Sequence, residues 1–274
     1  MAALMAIGVL LGLLLAGTAA LGLWAMRDGS LGEALRWGEG FMGERAAQTG
    51  TLRSEAVQGS VWRGGRIGAL VWSREGLTVR AEGVNLKLGQ RLWLGLLAGR
   101  GAHLGGLEIE RLVVQDERPP SPDTPSEPLN QLTLPLPVSL PWSVKALQVQ
   151  GGSPLTLSEL QGVYRYGPSE RASAMGVQDL HWLDLKSLTI AGGTYQAQAM
   201  LGAQAPMPLR LDAQGLVQAP VPGGSAVSLD ARAQVIGELA GADPRFQVQA
   251  NAVPSGQRPG TPMLAATALI RPRW

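Results

Sequence analysis

The sequence contains no cysteine, only two histidines and very few large aromatic residues, with two Phe and three Tyr. The absence of Cys excludes disulfides, thiol catalysis and Cys-based metal sites. Charged residues make up 16% of the chain and the net charge is only +2, so no charge pattern indicates nucleic-acid binding. Backbone pairing and the burial of Leu, Val and Ala, together with eight Trp, must therefore hold the fold.

Motifs that would indicate catalysis are missing as well. His103 lies in a Gly-rich stretch and His181 precedes a predicted strand, and neither context is typical of a general base or a metal ligand. The chain has no nucleophile elbow and no phosphate-binding loop. Glu108 and Glu110 alternate with apolar residues, which predicts solvent-facing carboxylates. We expect no enzyme, no metal and no cofactor.

Residues 1–26 form an apolar run without a charged side chain, and charges resume at Arg27. As a helix the run would reach roughly 39 Å, enough to cross a bilayer core of about 30 Å. We predict a single membrane anchor, with the bulk of the chain on one side. Its characteristic residues are Leu4, Ile7, Leu11, Leu14, Leu15, Leu21 and Trp24.

Two alternatives to an anchor are a cleaved signal peptide and a buried core helix. Residues 18–20 could form a cleavage site, but no basic residue precedes the apolar run and the run continues beyond this point. The anchor remains our prediction.

A linker over residues 27–50 follows, in which apolar spacing predicts a helix over 31–48. In the next segment, 51–118, the period changes to two, which predicts an N-terminal β-domain. Its apolar phase slips at Glu82–Gly83, which predicts a bulge or turn. Residues 91–98 predict one or two helical turns.

A Pro-rich linker at 119–131 precedes residues 132–274, where apolar and polar residues alternate between Pro and Gly clusters. Prolines at positions 135, 137 and 141 predict that 132–141 forms an edge segment with one apolar face. No strand–helix–strand pattern occurs, so we predict a mainly β fold: an elongated, curved antiparallel sheet forming an open groove, with one or two short helices. Because the chain stops directly after a strand and starts inside the apolar run, we expect the natural protein to extend further.

The order of these segments resembles the N-terminal region of the TamB family, the inner-membrane subunits of the bacterial translocation and assembly module. The resemblance rests on the anchor followed by four stretches and the Pro-rich linker. The stretches are TLRSEAVQGSVWRGGRIGALVW (51–72), LTVRAEGVNLKL (77–88), RLWLGLLAGRGAHLGGLEIERLVVQ (91–115) and LTLPLPVSLPW (132–142).

This AsmA-like family implies a bridge-like lipid transfer protein, single-pass in the inner membrane and largely periplasmic, whose apolar groove carries phospholipid acyl chains. The family also implies support for outer-membrane protein and autotransporter assembly. By the resemblance we expect the full-length protein to bind an outer-membrane TamA-type partner, through a C-terminal domain of the family that this sequence does not include. We expect the groove to be lined by Leu77, Val79, Val84, Leu86, Leu88, Leu107, Ile109, Leu134, Leu136, Val138, Leu209, Leu211, Val227, Leu229, Val235, Phe246 and Val248.

Two other interpretations stay open from the sequence. A sheet with one apolar face must bury it, so the strands could close into an ordinary β-sandwich. Alternatively, the chain resembles subunit N of type II secretion systems, which combines one anchor with a β-rich periplasmic domain and would have a structural or interaction role.

Overall fold

The fold is described from a computed structural model that covers residues 20–44, 50–118, 131–151, 154–190, 193–219, 227–240, 245–255 and 264–270. Residues 20–26 are helical. Three further helices follow: α1 (Ser30–Glu44), α2 (Gln90–Leu97) and α3 (Glu170–Ala174). The strands are β1 (Thr51–Ser60), β2 (Gly64–Arg74), β3 (Leu77–Lys87), β4 (Ala102–His103), β5 (Gly106–Asp116), β6 (Val138–Gln150), β7 (Leu155–Gly167), β8 (Leu180–Ile190), β9 (Gly193–Gly202), β10 (Pro208–Ala219), β11 (Val227–Glu238), β12 (Phe246–Pro254) and β13 (Leu264–Ile270).

All thirteen strands belong to one long open sheet, in which β1 and β13 are the edges and the short β4 pairs only with β6. The mainly β class is therefore confirmed, as are helices in the described part of 31–48 and in 91–98, while residues 45–48 lie outside the described residues. The prediction of one or two short helices is wrong, because α3 is a third helix beyond residues 20–26. The described residues contain no second sheet, so the sheet does not close into a sandwich there.

The predicted antiparallel sheet is wrong in one step, because β6 runs parallel to β5 and to β4. Parallel neighbours require a crossover of a dozen or more residues. The segment between β5 and β6, residues 117–137, contains the Pro-rich linker and has that length; its residues 119–130 lie outside the described residues. The sheet continues across this linker, since β5 and β6 pair from Leu107 to Gln115.

The prediction of an edge segment over 132–141 is also wrong in part. Residues 138–141 begin β6, which lies inside the sheet between β5 and β7. Pro141 is accommodated because β4 pairs with β6 only through Ser139 and β5 pairs with it only from Trp142 onward. The missing N–H of Pro141 falls in that interval. Residues 132–137 lie outside the sheet.

Helix α1 covers the apolar face at the β1 end of the sheet. Its Leu35 packs against a buried cluster centred on Ile67, Ala81 and Val84. At the sheet edge, Glu39 accepts a 2.6 Å hydrogen bond from the backbone N–H of Ser54. The helix therefore both covers the core and satisfies part of the β1 edge.

The slip in apolar phase at Glu82–Gly83 is confirmed and extends to neighbouring strands. The bulge or turn predicted there is wrong, because β3 runs unbroken from Leu77 to Lys87 and keeps one register with β2. Residues three positions apart pack into the same cluster, which strict alternation would not allow: Ile67 with Leu70, Ala81 with Val84, and Ile109 with Leu112. Gly83 has a φ of 62°, in the left-handed region. Ala81 pairs with Leu70 and Val84 with Ile67, so both strands slip together and the register is unchanged.

Candidate functional site

From β8 to β13, apolar side chains lie directly opposite one another and form continuous rows on one face. Directly paired residues share a face of a sheet, so the register assigns each row without ambiguity. One row consists of Leu183, Ala199, Leu211, Val235, Val248 and Ala268. Rows lie across the strands and therefore along the length of the sheet.

A second, parallel row consists almost entirely of alanine. Its members are Leu185, Ala197, Ala213, Ala233, Ala250 and Ala266. Beside this row is a hollow of about 360 Å³, whose lining includes Tyr195, Gly215 and Ala252. Short side chains leave space here that Leu or Phe would fill.

The opposite face of the same strands is polar. Asp184, Gln198, Asp212, Gln234 and Gln249 form a row directly behind the apolar ones. Polar side chains here also line a larger hollow of about 590 Å³. Amide and charged groups make this larger hollow unsuitable for an acyl chain, because burying them without partners is costly.

Hydrogen bonds hold one member of the polar row, Asp212, in place. Asp212 accepts hydrogen bonds from the guanidinium of Arg210 at 2.8 Å and from the amide of Gln234 at 2.6 Å. These two bonds lower the pKa of Asp212 below its ordinary value, with the Arg210 bond the larger cause. The two faces of β9–β12 therefore differ sharply in polarity.

No described element covers the apolar face between β9 and β13. Its side chains on β9–β12 are partly exposed rather than buried, and every residue of β13 is exposed, with Leu264 at 69%. The β1 end differs, because Val84 there is only 3% exposed beneath the α1 cluster. One face thus changes along the sheet from a packed core to an open apolar surface.

The structure distributes the sequence-predicted groove residues among three settings. On the open part of the apolar face lie Leu209, Leu211, Val227, Leu229, Val235, Phe246 and Val248. On the part nearer β1 lie Leu77, Val79, Val84, Leu86, Leu107, Ile109 and Val138, of which Val84, Leu107 and Ile109 pack in the α1-covered cluster. Outside the strands lie Leu88, Leu134 and Leu136.

The alanine row is missing from the predicted groove residues. Its members continue the period of two that predicts these strands, so the alternation itself is the available signal. Alanine contributes little apolar area on its own, and a single Ala in a strand therefore does not indicate a groove. Only the register shows that one Ala from each strand falls in the same row.

A hydrogen-bond network joins the residues that follow the predicted anchor to the sheet. Ser30 is fully buried; its hydroxyl donates to the Ala25 carbonyl at 3.1 Å and accepts from the Val61 N–H at 3.0 Å. Ala25 O also accepts from the N–H of Trp62, at 2.9 Å. The helix 20–26 is therefore fixed to the turn between β1 and β2.

Two stacked pairs of indole rings add to the contacts around helix 20–26 and the β1–β2 turn. The rings of Trp24 and Trp37 stack at 5.1 Å, and those of Trp62 and Trp93 at 5.4 Å. The indole N–H of Trp24 donates to Glu33 at 2.7 Å, and this bond is the largest cause of a lowered Glu33 pKa.

Of the predicted anchor residues, only Leu21 and Trp24 belong to the described part; Leu4, Ile7, Leu11, Leu14 and Leu15 lie outside it. Among the helices that are described, none has both the length and the hydropathy to cross a bilayer.

Of the two histidines, His103 is exposed on β4 and His181 holds a structural position. His181 is 8% exposed, contacts the hydroxyl of Tyr164 through Nδ1 at 2.7 Å, and contacts the carbonyl of Leu132 through Nε2. It thereby ties the segment 132–137 to the sheet. Within the described residues, no group of His, Asp or Glu side chains is arranged to hold a metal ion.

Comparison with known proteins gave no match to a protein-family model, to a curated protein or to a solved structure.

Proposed function

We propose that this chain is an inner-membrane-anchored, periplasmic lipid conduit of the TamB type, whose open apolar face carries phospholipid acyl chains toward the outer membrane. The observation that supports it best is the pair of in-register apolar rows on β8–β13 with no described covering layer. In the same proposal the protein supports assembly of outer-membrane proteins and autotransporters.

The dimensions of the rows suit an acyl chain. Neighbouring strands lie about 4.8 Å apart, so five steps from β8 to β13 span roughly 24 Å. One leaflet of a bilayer core is about 15 Å thick, which is the length available to one acyl chain. A row can therefore hold a whole chain along the sheet.

The energetics favour retention without specific recognition. Each fully buried methylene contributes about 0.8 kcal/mol, and contact with a single face recovers only part of that. Because neighbouring positions along the alanine row are chemically alike, a lipid gains little by stopping at any one of them. The surface thus combines binding with movement.

Covering the apolar face with a second sheet would have contradicted this function. The alternative in which the chain acts as a structural or interaction module, as in subunit N of type II secretion systems, requires no lipid on the apolar rows. The two functions differ in what contacts the side chains of Leu211 and Val248: the conduit requires phospholipid there, and the structural or interaction module does not.

Site-specific photo-crosslinking separates them. A photoreactive phenylalanine analogue at Leu211 or Val248 should capture phospholipid, because both positions lie on the apolar face. The same analogue at Asp212 or Gln249, one residue away on the polar face, is the matched control and should capture far less. Equal capture of lipid on both faces, or none on the apolar face, would exclude the conduit.

A second test uses charge. Val235→Glu places a carboxylate within the apolar row, whereas Ile236→Glu places one on the opposite face of the same strand, where Ile236 is already 46% exposed. Phospholipid bound to the purified chain, measured by native mass spectrometry, should decrease in the first variant alone.

A further inference from the structure

A cleft of about 750 Å³ lies where β4, β6, β7, β8 and α3 meet, and Arg100 from the turn after α2 also lines it. The side chains of Ser139, Arg165 and Trp182 lie on the sheet face opposite the apolar rows. The lining of the cleft includes the three guanidinium groups of Arg100, Arg165 and Arg171, together with Ser139 and Trp182. Neither the apolar rows nor the proposed conduit uses these residues.

The fold brings the cleft together from distant parts of the sequence. Ser139, Arg165 and Trp182 lie side by side on β6, β7 and β8. Arg171 comes from α3, where Ser169 Oγ accepts a hydrogen bond from the Ala172 N–H at 3.1 Å and the Ala172 side chain is 1% exposed. The backbone that carries Arg171 is therefore fixed against the sheet.

Two of the arginines converge on one indole ring. The guanidinium carbon of Arg171 is 4.0 Å from the centroid of Trp182, and that of Arg165 is 4.6 Å from it. Such cation–π contacts orient the planar guanidinium groups and restrict their motion. Two cations are thus held near each other, although their charges repel.

The electrostatics of the cleft are unbalanced. Among the described residues, no carboxylate forms an ion pair with Arg100, Arg165 or Arg171, whereas ion pairs form elsewhere on the same face, as between Arg210 and Asp212. Glu170 is the one acidic residue in the lining. A concentrated positive charge without a protein counter-charge favours an anionic ligand.

Trp182 provides an independent indication. Its indole nitrogen is the one buried side-chain nitrogen or oxygen in the described part of the chain that has no hydrogen-bond partner. An unsatisfied buried donor is unfavourable. The cleft thus combines excess positive charge with an indole whose buried N–H has no acceptor within the described protein.

We propose that this cleft binds a phosphate ester, with the phosphate oxygens accepting hydrogen bonds from Arg165 and Arg171. Guanidinium groups bind phosphate in a bidentate manner, and a volume of about 750 Å³ accommodates more than the phosphate itself. The phosphate can come from a phospholipid headgroup or from a soluble ester.

A lipid source rests on the proposed function, since it requires the cleft to lie near the membrane. Helix α2, which precedes Arg100 in the chain, exposes Leu94 and Leu97 at 65% and 86%. Trp93 of α2 also donates to the Trp62 carbonyl, in the turn that holds helix 20–26. The cleft, on β6–β8, therefore lies at the same ends of the strands as the β1–β2 turn that holds helix 20–26, several strands farther along the sheet.

The experiment uses the full chain in maltoside micelles, which contain no phosphate. Short-chain phosphatidylglycerol, glycerol phosphate and inorganic phosphate are titrated separately, and binding is followed by calorimetry. Uncharged diacylglycerol is the control for the acyl chains. Saturable binding of phosphatidylglycerol alone would identify a headgroup site, and binding of glycerol phosphate as well would identify a site for soluble esters.

Substitution then tests the assignment. Arg165→Gln combined with Arg171→Gln should weaken binding at least tenfold, whereas Arg232→Gln, which removes one positive charge farther along the same face, should change it less than twofold. Arg171→Gln alone changes only an exposed side chain, so it keeps the test valid if the double variant does not fold.

No saturable binding of any phosphate probe, or equal binding by parent and Arg171→Gln, would overturn the site. Because glycerol phosphate carries no acyl chain, its binding does not depend on the apolar rows. If the crosslinking test excludes the conduit, binding of glycerol phosphate still supports the cleft. If the cleft binds no phosphate probe, capture of lipid at Leu211 or Val248 still supports the conduit.

Discussion

Replacing Ser30 with Ala should loosen the junction between helix 20–26 and the sheet. The hydroxyl of Ser30 is fully buried and makes two hydrogen bonds, to Ala25 O and from Val61 N. Its removal leaves the partly buried Val61 N–H without an acceptor, at a cost of about 1–3 kcal/mol. The Ala25 carbonyl keeps its hydrogen bond from the Trp62 N–H. We therefore expect a loss of about 1–3 kcal/mol in the free energy of unfolding.

For a chain of this size the loss corresponds to a decrease in Tm of roughly 2–12 °C. The assay is thermal unfolding in maltoside micelles, followed by Trp fluorescence, with hydrogen exchange of the Val61 amide as the local measurement. Ser228→Ala is the control, because the hydroxyl of Ser228 bonds only to the exposed side chain of Gln218. A Ser30→Ala protein with unchanged Tm and unchanged Val61 exchange would refute the junction as described.

Three further changes test other parts of the molecule. Gly83→Val should cost about 1–3 kcal/mol, measured by urea unfolding, because Gly83 has a φ of 62° and a Cβ there would lie 2.6 Å from the Glu110 carboxyl group. In Arg118→Gln the pKa of Asp116, about 2 in the parent because of its bonds to Arg118, should rise toward the ordinary 3.8, as observed by carboxyl NMR. His181→Phe keeps an aromatic ring but loses the contact with the segment 132–137, so proteolysis within that segment should accelerate.

The outcomes that contradict these predictions are equally specific. Gly38→Ala, in α1 with nothing within 4 Å of the added methyl group, should stabilise by about 1 kcal/mol, so equal effects at both glycines would exclude backbone strain at Gly83. A lowered folded pKa stabilises above the unfolded value, so the Asp116 contribution should disappear as pH falls from about 3.8 to about 2. Loss of that contribution at higher pH, or unchanged proteolysis in His181→Phe, would count against the contacts described.

The sequence predicts the strands well because a period of two is a direct consequence of the pleat. It also predicts the slip at Gly83, where the apolar positions change from odd to even within one strand. It does not predict that β2 and β5 slip at the same level, because this depends on register. Ile67 and Leu70 are separated by the same interval as Ala81 and Val84, so the matching slip in β2 is recognised once its pairing with β3 is known.

The features that could not be predicted all depend on contacts between residues far apart in the sequence. The length of the 119–131 linker permits a parallel crossover but does not require one, so the sequence leaves the neighbour of β6 undetermined. Pro141 suggests a sheet edge because proline lacks a donor. The gap between β4 and β5 that accommodates it depends on a two-residue strand, which has no signal in the sequence. The arginine cleft likewise combines Arg100, Arg165 and Arg171, whose spacing forms no motif.

The two edges of the sheet differ in a way that gives it a direction. At the β1 edge, helix α1 packs on the sheet, and the Glu39 carboxylate accepts a hydrogen bond from the backbone N–H of Ser54. No described element pairs with the outer side of β13, whose residues are all exposed and uncharged, from Leu264 to Ile270. Unprotected apolar edges favour the addition of another strand. A strand added to this sheet would therefore pair with β13, and by the alternation of the pleat it would extend the rows that end at Ala266 and Ala268.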